Sequence, residues 1–488
     1  MVNMQNFARN NSQALSLKRI FKYWLPEAAS AACLIFLPII VDLLLVAKLK
    51  STSTYSAIGI SSNLIHTLIK LSEGVCIAGI AVLGRFNGAN NFFDCGRSFL
   101  DLLTATSLLG ILQFIVVRAG ATAFMNWIEA PDEVKTIAIP FIKIQAMAIF
   151  FAFILMSFIA FFKAVKETRA PFYVNIVGML IFLLFDYALI LGKFGFPAMG
   201  YIGSAIAANL RYLSMLIISV GIIAGQKKYR KYFQNLGAIQ IQTKNVFTLI
   251  KLSLPIMIDK TMLSFAYIWL AKMVAPLGVC AIACMDSVKN VERFAFIPAM
   301  AFAQIITFVV SNNIGEGNTA KAKANIHKIL MLALGLAGSC LLFVSYQGAW
   351  LLSFLDSSNN FSASACRILK IIAPLVFFDL IQLILSAALR GAGDVKAVML
   401  TRLSVCTLVF FPLSFLIKKY VHIAFENKII LIYSSFYFST AIMALILWQR
   451  IQGNTWHKQS LPEYKKETDA TEEDALINAS SSRNVGTR

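Results

Sequence analysis

The residues best equipped for chemistry in this chain are charged side chains set within long apolar stretches. Asp42 stands late in the first stretch, Lys70 and Glu73 in the second, and Asp186 in the fifth. Asp259, Lys260 and Lys272 follow in the seventh, Asp286, Lys289, Glu292 and Arg293 in the eighth, and Asp379 in the tenth. A charge at the centre of a bilayer costs about 2.5–3.5 kcal/mol on insertion scales, so each implies a partner, water or a task. Lys70 with Glu73, and Lys289 with Glu292 and Arg293, lie at spacings where opposite charges on one helix face neutralise each other. Asp42, Asp186 and Asp379 have no basic residue within one turn on their own stretch. A lone carboxylate in low dielectric can exchange a proton within the working pH range, which is the chemistry a proton-coupled carrier needs.

Other chemistries find less support. No HExxH, GxSxG or Walker A pattern occurs, so metalloprotease, hydrolase-elbow and nucleotide-driven mechanisms lack their machinery. The best case for an intramembrane serine hydrolase pairs Ser204 as nucleophile with His66 as base. A small helix-packing serine and a cavity-facing histidine account for the same two residues. Cys280 and Cys284 stand one helical turn apart, but no histidine or further cysteine completes a metal site. No metal or other cofactor is therefore expected.

The elements that must position these residues are membrane-spanning helices. The chain is 58% hydrophobic and 14% charged, against roughly 45–50% and about 25% in soluble domains. Apolar runs near 26–47, 56–83, 98–117, 136–162, 171–191, 200–224, 248–273, 280–310, 328–349, 366–389, 397–417 and 429–449 each suffice to cross a hydrocarbon core of about 30 Å. The expected fold is an all-α polytopic membrane protein with twelve transmembrane helices. The formal charge of +20 reflects basic residues on alternate loops, not a nucleic-acid surface. Arg85, Lys163, Lys166, Lys227, Lys321 and Arg390 follow even-numbered spans, while Arg118 and Lys193 belong to the sparser opposite loops. By the positive-inside rule both termini face the cytoplasm. Short loops and the absence of a targeting segment favour a bacterial inner membrane. The Asn360-Phe361-Ser362 sequon falls on an outward loop and matters only in a eukaryotic secretory pathway.

The chain is also built twice. Leu25-Pro26 opens one run and Leu254-Pro255 another, and Gly88 recurs as Gly315, 227 residues on. The stretch opening at Lys163 is echoed at Arg390, again at an offset of 227. This divides the chain into a cytoplasmic N-terminal segment (1–24), a six-helix half (25–224), a basic cytoplasmic linker (225–247), a second half (248–450) and a disordered tail (451–488). Six is even, so the halves enter the membrane in the same sense, as parallel repeats around a central cavity. Asn63 and Asn290 are mates at this offset, and both are placed facing that cavity.

Several elements resemble the multidrug and toxic compound extrusion (MATE) transporters, over roughly residues 22–450. They are Val41-Asp42 after Leu25-Pro26, and Asp186-Tyr187-Ala188-Leu189-Ile190-Leu191-Gly192 followed by Gly195-Phe196-Pro197 and Gly200-Tyr201-Ile202-Gly203-Ser204-Ala205. Ala275-Pro276-Leu277-Gly278 leads to Asn290, Pro298 and Gly315 in the second half. Phe378-Asp379-Leu380-Ile381-Gln382, leading to Leu389-Arg390-Gly391-Ala392-Gly393-Asp394, is the most specific element. The resemblance implies alternating access, with a small organic molecule or drug exported as protons or sodium ions enter. It implies Asp42 and Asp186 as the cation-linked pair of the first half and Asp379 as the acid of the second. Asn63, Glu73, Asp259, Asp286, Lys289 and Asn290 are the candidate substrate-cavity residues. The expected partners are the substrate and the bilayer, around a monomer.

The sequence also departs from the family pattern. Leu263 stands where some relatives carry a glutamate, and Met285-Asp286 replaces a His-Gln pair. So charged a wall suits a zwitterionic or anionic substrate, and keeps a lipid-linked sugar flippase of the same superfamily as the alternative.

Overall fold

The computed structural model describes residues 14–44, 52–127, 132–234, 243–347, 362–453 and 455–457. Among the described residues twelve long helices follow one another. The first half holds α1 (Leu17–Leu44), α2 (Thr52–Gly88), α3 (Phe92–Trp127), α4 (Asp132–Ala164), α5 (Arg169–Leu191) and α6 (Tyr201–Gly225). The second holds α7 (Thr243–Val274), α8 (Val279–Gly315), α9 (Thr319–Tyr346), α10 (Ser362–Gly391), α11 (Val395–Tyr420) and α12 (Phe425–Gln452). A helix satisfies its backbone within one segment, so it is the form that an apolar chain takes in lipid. Ten of the twelve contain a described stretch long and apolar enough to span. In α7 the run is interrupted by Asp259, Lys260 and Lys272, and α1 has too few described side chains to be counted. Within α11, residues Cys406–Phe410 widen to a π-helical turn. Pro412 explains it: proline offers no N–H to Leu408 and its ring crowds that carbonyl.

The two halves repeat each other in packing as well as in sequence. Helix α1 lies on α5 as α7 lies on α11, α2 on α4 as α8 on α10, and α4 on α6 as α10 on α12. The turns repeat down to single residues. Asn90 and Gly317 both carry a positive φ, of 59° and 71°, and so do Lys166 and Gly393, at 62° and 83°. Each pair is separated by 227 residues. A left-handed residue thus closes α2 and α8, and another closes α4 and α10. The second half uses glycine at both, while Asn90 and Lys166 accept the conformation at a cost of about 1–2 kcal/mol each.

The halves meet along α1 and α2 against α7 and α8. Their junction is tightest at the face that also carries the linker. Gly84 abuts Ser311, its own repeat mate, which places the local pseudo-twofold axis between α2 and α8. On either side, a Cβ at Gly88 would overlap the Asn312 carbonyl, and one at Gly315 would overlap the Arg85 carbonyl. Arg85 and Asn312 are mates as well, and they make reciprocal bonds across the junction. Arg85 donates to the Ala392 carbonyl just past α10, and the Asn312 amide donates to the Ala164 carbonyl at the end of α4, at 2.8 Å. Asn87 donates to Asn312 Oδ1 at 2.8 Å. Each half therefore caps the carbonyl end of the other half's fourth helix.

The linker takes part in this face. Lys227–Tyr232 form a 3-10 helix whose Tyr229 and Tyr232 are buried, and the Tyr232 hydroxyl donates to Asn87 Oδ1 at 2.6 Å. Burial keeps both phenols protonated, above their ordinary pKa. At the rim, Glu316 accepts from Lys166 across the junction at 3.3 Å and from Lys321 at 2.6 Å. Burial pushes the Glu316 carboxyl up, but the Lys321 bond and the Lys166 charge outweigh it and hold it below its ordinary value. Burial also lowers the Lys166 ammonium, although Glu316 opposes that shift. At the C-terminus α12 extends to Gln452 and Trp456 is fully buried, so the expected disordered tail begins with packed residues.

Candidate functional site

Asp186 lies five residues from the end of α5, about 7–8 Å from its terminus at 1.5 Å per residue. That terminus is on the face opposite the linker. Gly192 closes the helix at φ 67°, and its N–H and that of Lys193 both reach the Ala188 carbonyl. The chain then doubles back through Met199, whose N–H donates to Leu189 at 2.8 Å. Gly203 follows, where a Cβ would come within 2.8 Å of the Leu189 backbone. This close crossing sets Ser204 beside Asp186. The Asp186 carboxyl is 0% exposed, and among the described residues neither oxygen has a hydrogen bond of ordinary geometry. The Ser204 hydroxyl is its polar neighbour, close enough to interact but outside that geometry. Asp42 stands on α1, which packs on α5.

The second half buries a different group of acids. Glu292 on α8 accepts from the Tyr437 hydroxyl of α12 at 2.9 Å, and among the described residues its other oxygen has no hydrogen-bond partner. Asp379 on α10 is also buried and lies within electrostatic range of Glu292, Tyr437 and Arg402. The Lys289 ammonium stands 4.5 Å from the centre of the Tyr267 ring. The sequence reading paired Glu292 with Lys289 and Arg293 on one face. Among the described contacts its hydrogen bond goes instead to a tyrosine 145 residues away.

Two further charges are committed to the protein itself. Asp259 is 1% exposed and receives Arg390 and Arg402, both at 2.5 Å, which ties α7 to α10 and α11. The first half has a counterpart: Lys163 of α4 donates to Glu27 of α1 at 3.0 Å and reaches across to Gln304 of α8 at 3.1 Å. Lys163 and Arg390 are repeat mates, so each half is fastened by a base at the end of its fourth helix and an acid on its first. Neither is a loop residue; both are buried. Glu73 likewise pairs across the junction with Lys260, at 3.5 Å, and not with Lys70. Helical spacing shows only that two side chains share a face, and here the opposite charge on the neighbouring helix is the nearer partner. Asp42, Asn63, His66, Asp286, Asn290 and Arg293 sit on helical backbone, but their side chains lie outside the described residues, as does the whole Asn360 sequon.

Two parallel six-helix repeats, meeting at one face and holding acids within the membrane, define a membrane transporter. The MatE family model matches residues 28–188 and 255–416, one block in each half. The chain belongs to this family, whose members are transporters and not enzymes, so Ser204 has no nucleophilic role to fill. It is 22% identical over 420 residues to the probable multidrug resistance protein NorM of Mannheimia succiniciproducens, covering 84% of this chain and 88% of that protein. It is 21% identical over 412 residues to the probable multidrug resistance protein YoeA of Bacillus subtilis, at 82% and 89% coverage. Among solved structures, a mutant of the Vibrio cholerae MATE transporter VcmN superposes with a TM-score of 0.82 at 15% identity, covering 93% of this chain and all of that one. A MOP superfamily transporter from Pyrococcus furiosus, described as having a binding pocket of reverse polarity, gives 0.81 at 14% identity, covering 91% and 97%.

Proposed function

We propose that this chain exports small organic molecules, drugs among them, in exchange for protons or sodium ions. The observation that carries this reading is the Asp186 carboxyl: wholly enclosed, with Ser204 as its polar neighbour and, among the described residues, no hydrogen bond of ordinary geometry, and held by the α5–α6 crossing. Its lone pairs are left to a proton, a sodium ion or a water molecule. Asp42, on the adjoining helix, completes the cation-linked pair of the first half, and Asp379 serves the second. Drug export is supported by the relatives named as probable multidrug resistance proteins. The junction packed shut at the linker face suits one end-state of alternating access, with the path open to the other side. The protein acts as a monomer in a bacterial inner membrane, both termini in the cytoplasm, and needs no cofactor beyond the coupling ion. Asn63, Glu73, Asp286, Lys289 and Asn290 remain the residues proposed for the substrate cavity. Asp259 is better assigned to holding α7, α10 and α11 together.

A second reading, a flippase for an anionic amphiphile such as a lipid-linked sugar, is favoured by Lys289, an ammonium group on α8 of the second half. A substrate panel of organic cations, zwitterions and anions in proteoliposomes, under separate proton and sodium gradients, tests both. Gradient-driven flux of cations or zwitterions, abolished by Asp42→Asn, is the expected result. Flux confined to anionic amphiphiles and indifferent to either gradient would replace it with the flippase reading.

A further inference from the structure

A cleft of about 580 Å³ opens on the flank of the first half, lined by Phe114 and Arg118 of α3, Lys143, Ile144 and Met147 of α4, and Asn209 of α6. It lies away from α1, α2, α7 and α8, the helices of the junction. Two positive charges and no acidic side chain line it. Among the described residues neither Arg118 nor Lys143 has an ion pair or hydrogen bond, so both charges are left to the cleft. The Asn209 amide donates to the Ile144 and Ala205 carbonyls, at 3.1 and 2.8 Å. Its own oxygen is enclosed, and among the described residues it accepts nothing. The site therefore offers a ligand two cations.

Its level in the membrane follows from the helices. Arg118 was expected in a loop, but α3 continues nine residues beyond it, about 13 Å, and Lys143 lies eleven residues into α4, about 16 Å. On the linker side of Arg118 the stretch 98–117 has the length of one hydrocarbon core of about 30 Å. Both bases thus stand at headgroup level on the face opposite the linker, and α3 and α4 project past it. Below them the cleft's neighbours turn apolar side chains outward: Leu108, Ile111 and Leu112 on α3, and Leu213, Ile217 and Val220 on α6. A lipid-facing groove cannot stay empty in a bilayer, and charge decides which lipid fills it. We infer that this cleft binds an anionic phospholipid of the leaflet opposite the linker. Its phosphate lies between Arg118 and Lys143, and its acyl chains run between α3 and α6.

A second cleft, of about 410 Å³ beside Lys396 and Arg450, provides an internal comparison. There Asp394 accepts from Arg450 at 2.8 Å and cancels one of the two charges, so it should discriminate less between lipids.

The test is native mass spectrometry of the delipidated full-length protein, titrated with phosphatidylglycerol or with phosphatidylcholine of the same acyl chains. The first phosphatidylglycerol should bind selectively. The combined exchange Arg118→Gln and Lys143→Gln should weaken it about thirtyfold, from roughly fivefold per basic side chain, with phosphatidylcholine unchanged. Arg118→Lys with Lys143→Arg should retain binding. If the double variant does not fold, Lys143→Gln alone should show about a fivefold loss. Three results would overturn the assignment: phosphatidylglycerol bound equally by wild type and the Gln variants, phosphatidylcholine bound as tightly as phosphatidylglycerol, or displacement by soluble glycerol phosphate at the same concentration, which would mark a free-anion site.

Discussion

Replacing Asp259 with asparagine takes one negative charge from between two guanidinium groups that have no water to turn to. The Asp259, Arg390 and Arg402 side chains are 1%, 6% and 5% exposed, and both contacts are 2.5 Å. Removing one partner of a buried ion pair typically costs about 3–5 kcal/mol, because the other charge stays buried and unpaired. Asparagine keeps one acceptor and Arg402 still feels Asp379, so the loss should fall within that range even though two pairs are broken. That is a factor of a hundred or more in the folded ratio. The readout is the apparent melting temperature of purified protein in one detergent, by fluorescence-detected size exclusion. Asp259→Asn should melt well below wild type, and Asp259→Leu combined with Arg402→Leu should recover part of the loss, since the excess charge leaves with its partner. A variant that melts like wild type but transports a changed set of substrates would refute this reasoning and return Asp259 to the substrate path.

Other consequences can be checked alongside. Gly88→Ala and Gly315→Ala, one on each side of the pseudo-twofold axis, should each hold the linker face apart; corrected hydrogen exchange of residues 84–90 and 311–317 should rise in both, and protection as in wild type would count against the tight crossing. Glu292→Gln should slow transport while Tyr437→Phe, which removes only the donated hydrogen bond, should be milder; equal losses would give Glu292 a purely structural part. Glu316 is held below its ordinary carboxylate pKa when the face is closed, so its contribution is complete above that ordinary value and lost as pH falls through the lower one. Exchange at the linker face should therefore stay flat from neutral pH to about pH 5 and rise only in stronger acid, and a rise between pH 8 and 6 would point to another group.

The class of fold was legible because lipid imposes it: apolar runs of spanning length can only be helices there. The repeat was legible too, since the offset of 227 that links Gly88 to Gly315 also relates the left-handed turns at Asn90 and Gly317. Charge partners were not. Glu27 with Lys163, Asp259 with Arg390 and Glu73 with Lys260 are each more than a hundred residues apart, and periodicity reports a face without saying what it meets. One signal was present. Lys163 and Arg390 are mates, and each half carries an acid just after its Leu-Pro: Glu27 beside Pro26, and Asp259 four residues past Pro255. Counted from each proline the two acids lie three residues apart, about one helical turn, although the offset of 227 sets them five apart. Arg118 was misplaced for a related reason, because a basic residue at the end of an apolar run reads as a loop even where the helix continues.

The central claim is that substrate export is tied to cation entry through Asp186. Its most direct test places wild type and Asp186→Asn in proteoliposomes containing a pH-sensitive dye, or a sodium-sensitive one, and measures ion movement when substrate is added. Wild type should move protons or sodium ions only with substrate present, and Asp186→Asn, folded and still binding substrate, should move neither. Ion movement at the wild-type rate in Asp186→Asn, or substrate flux in wild type that ignores both gradients, would contradict the account.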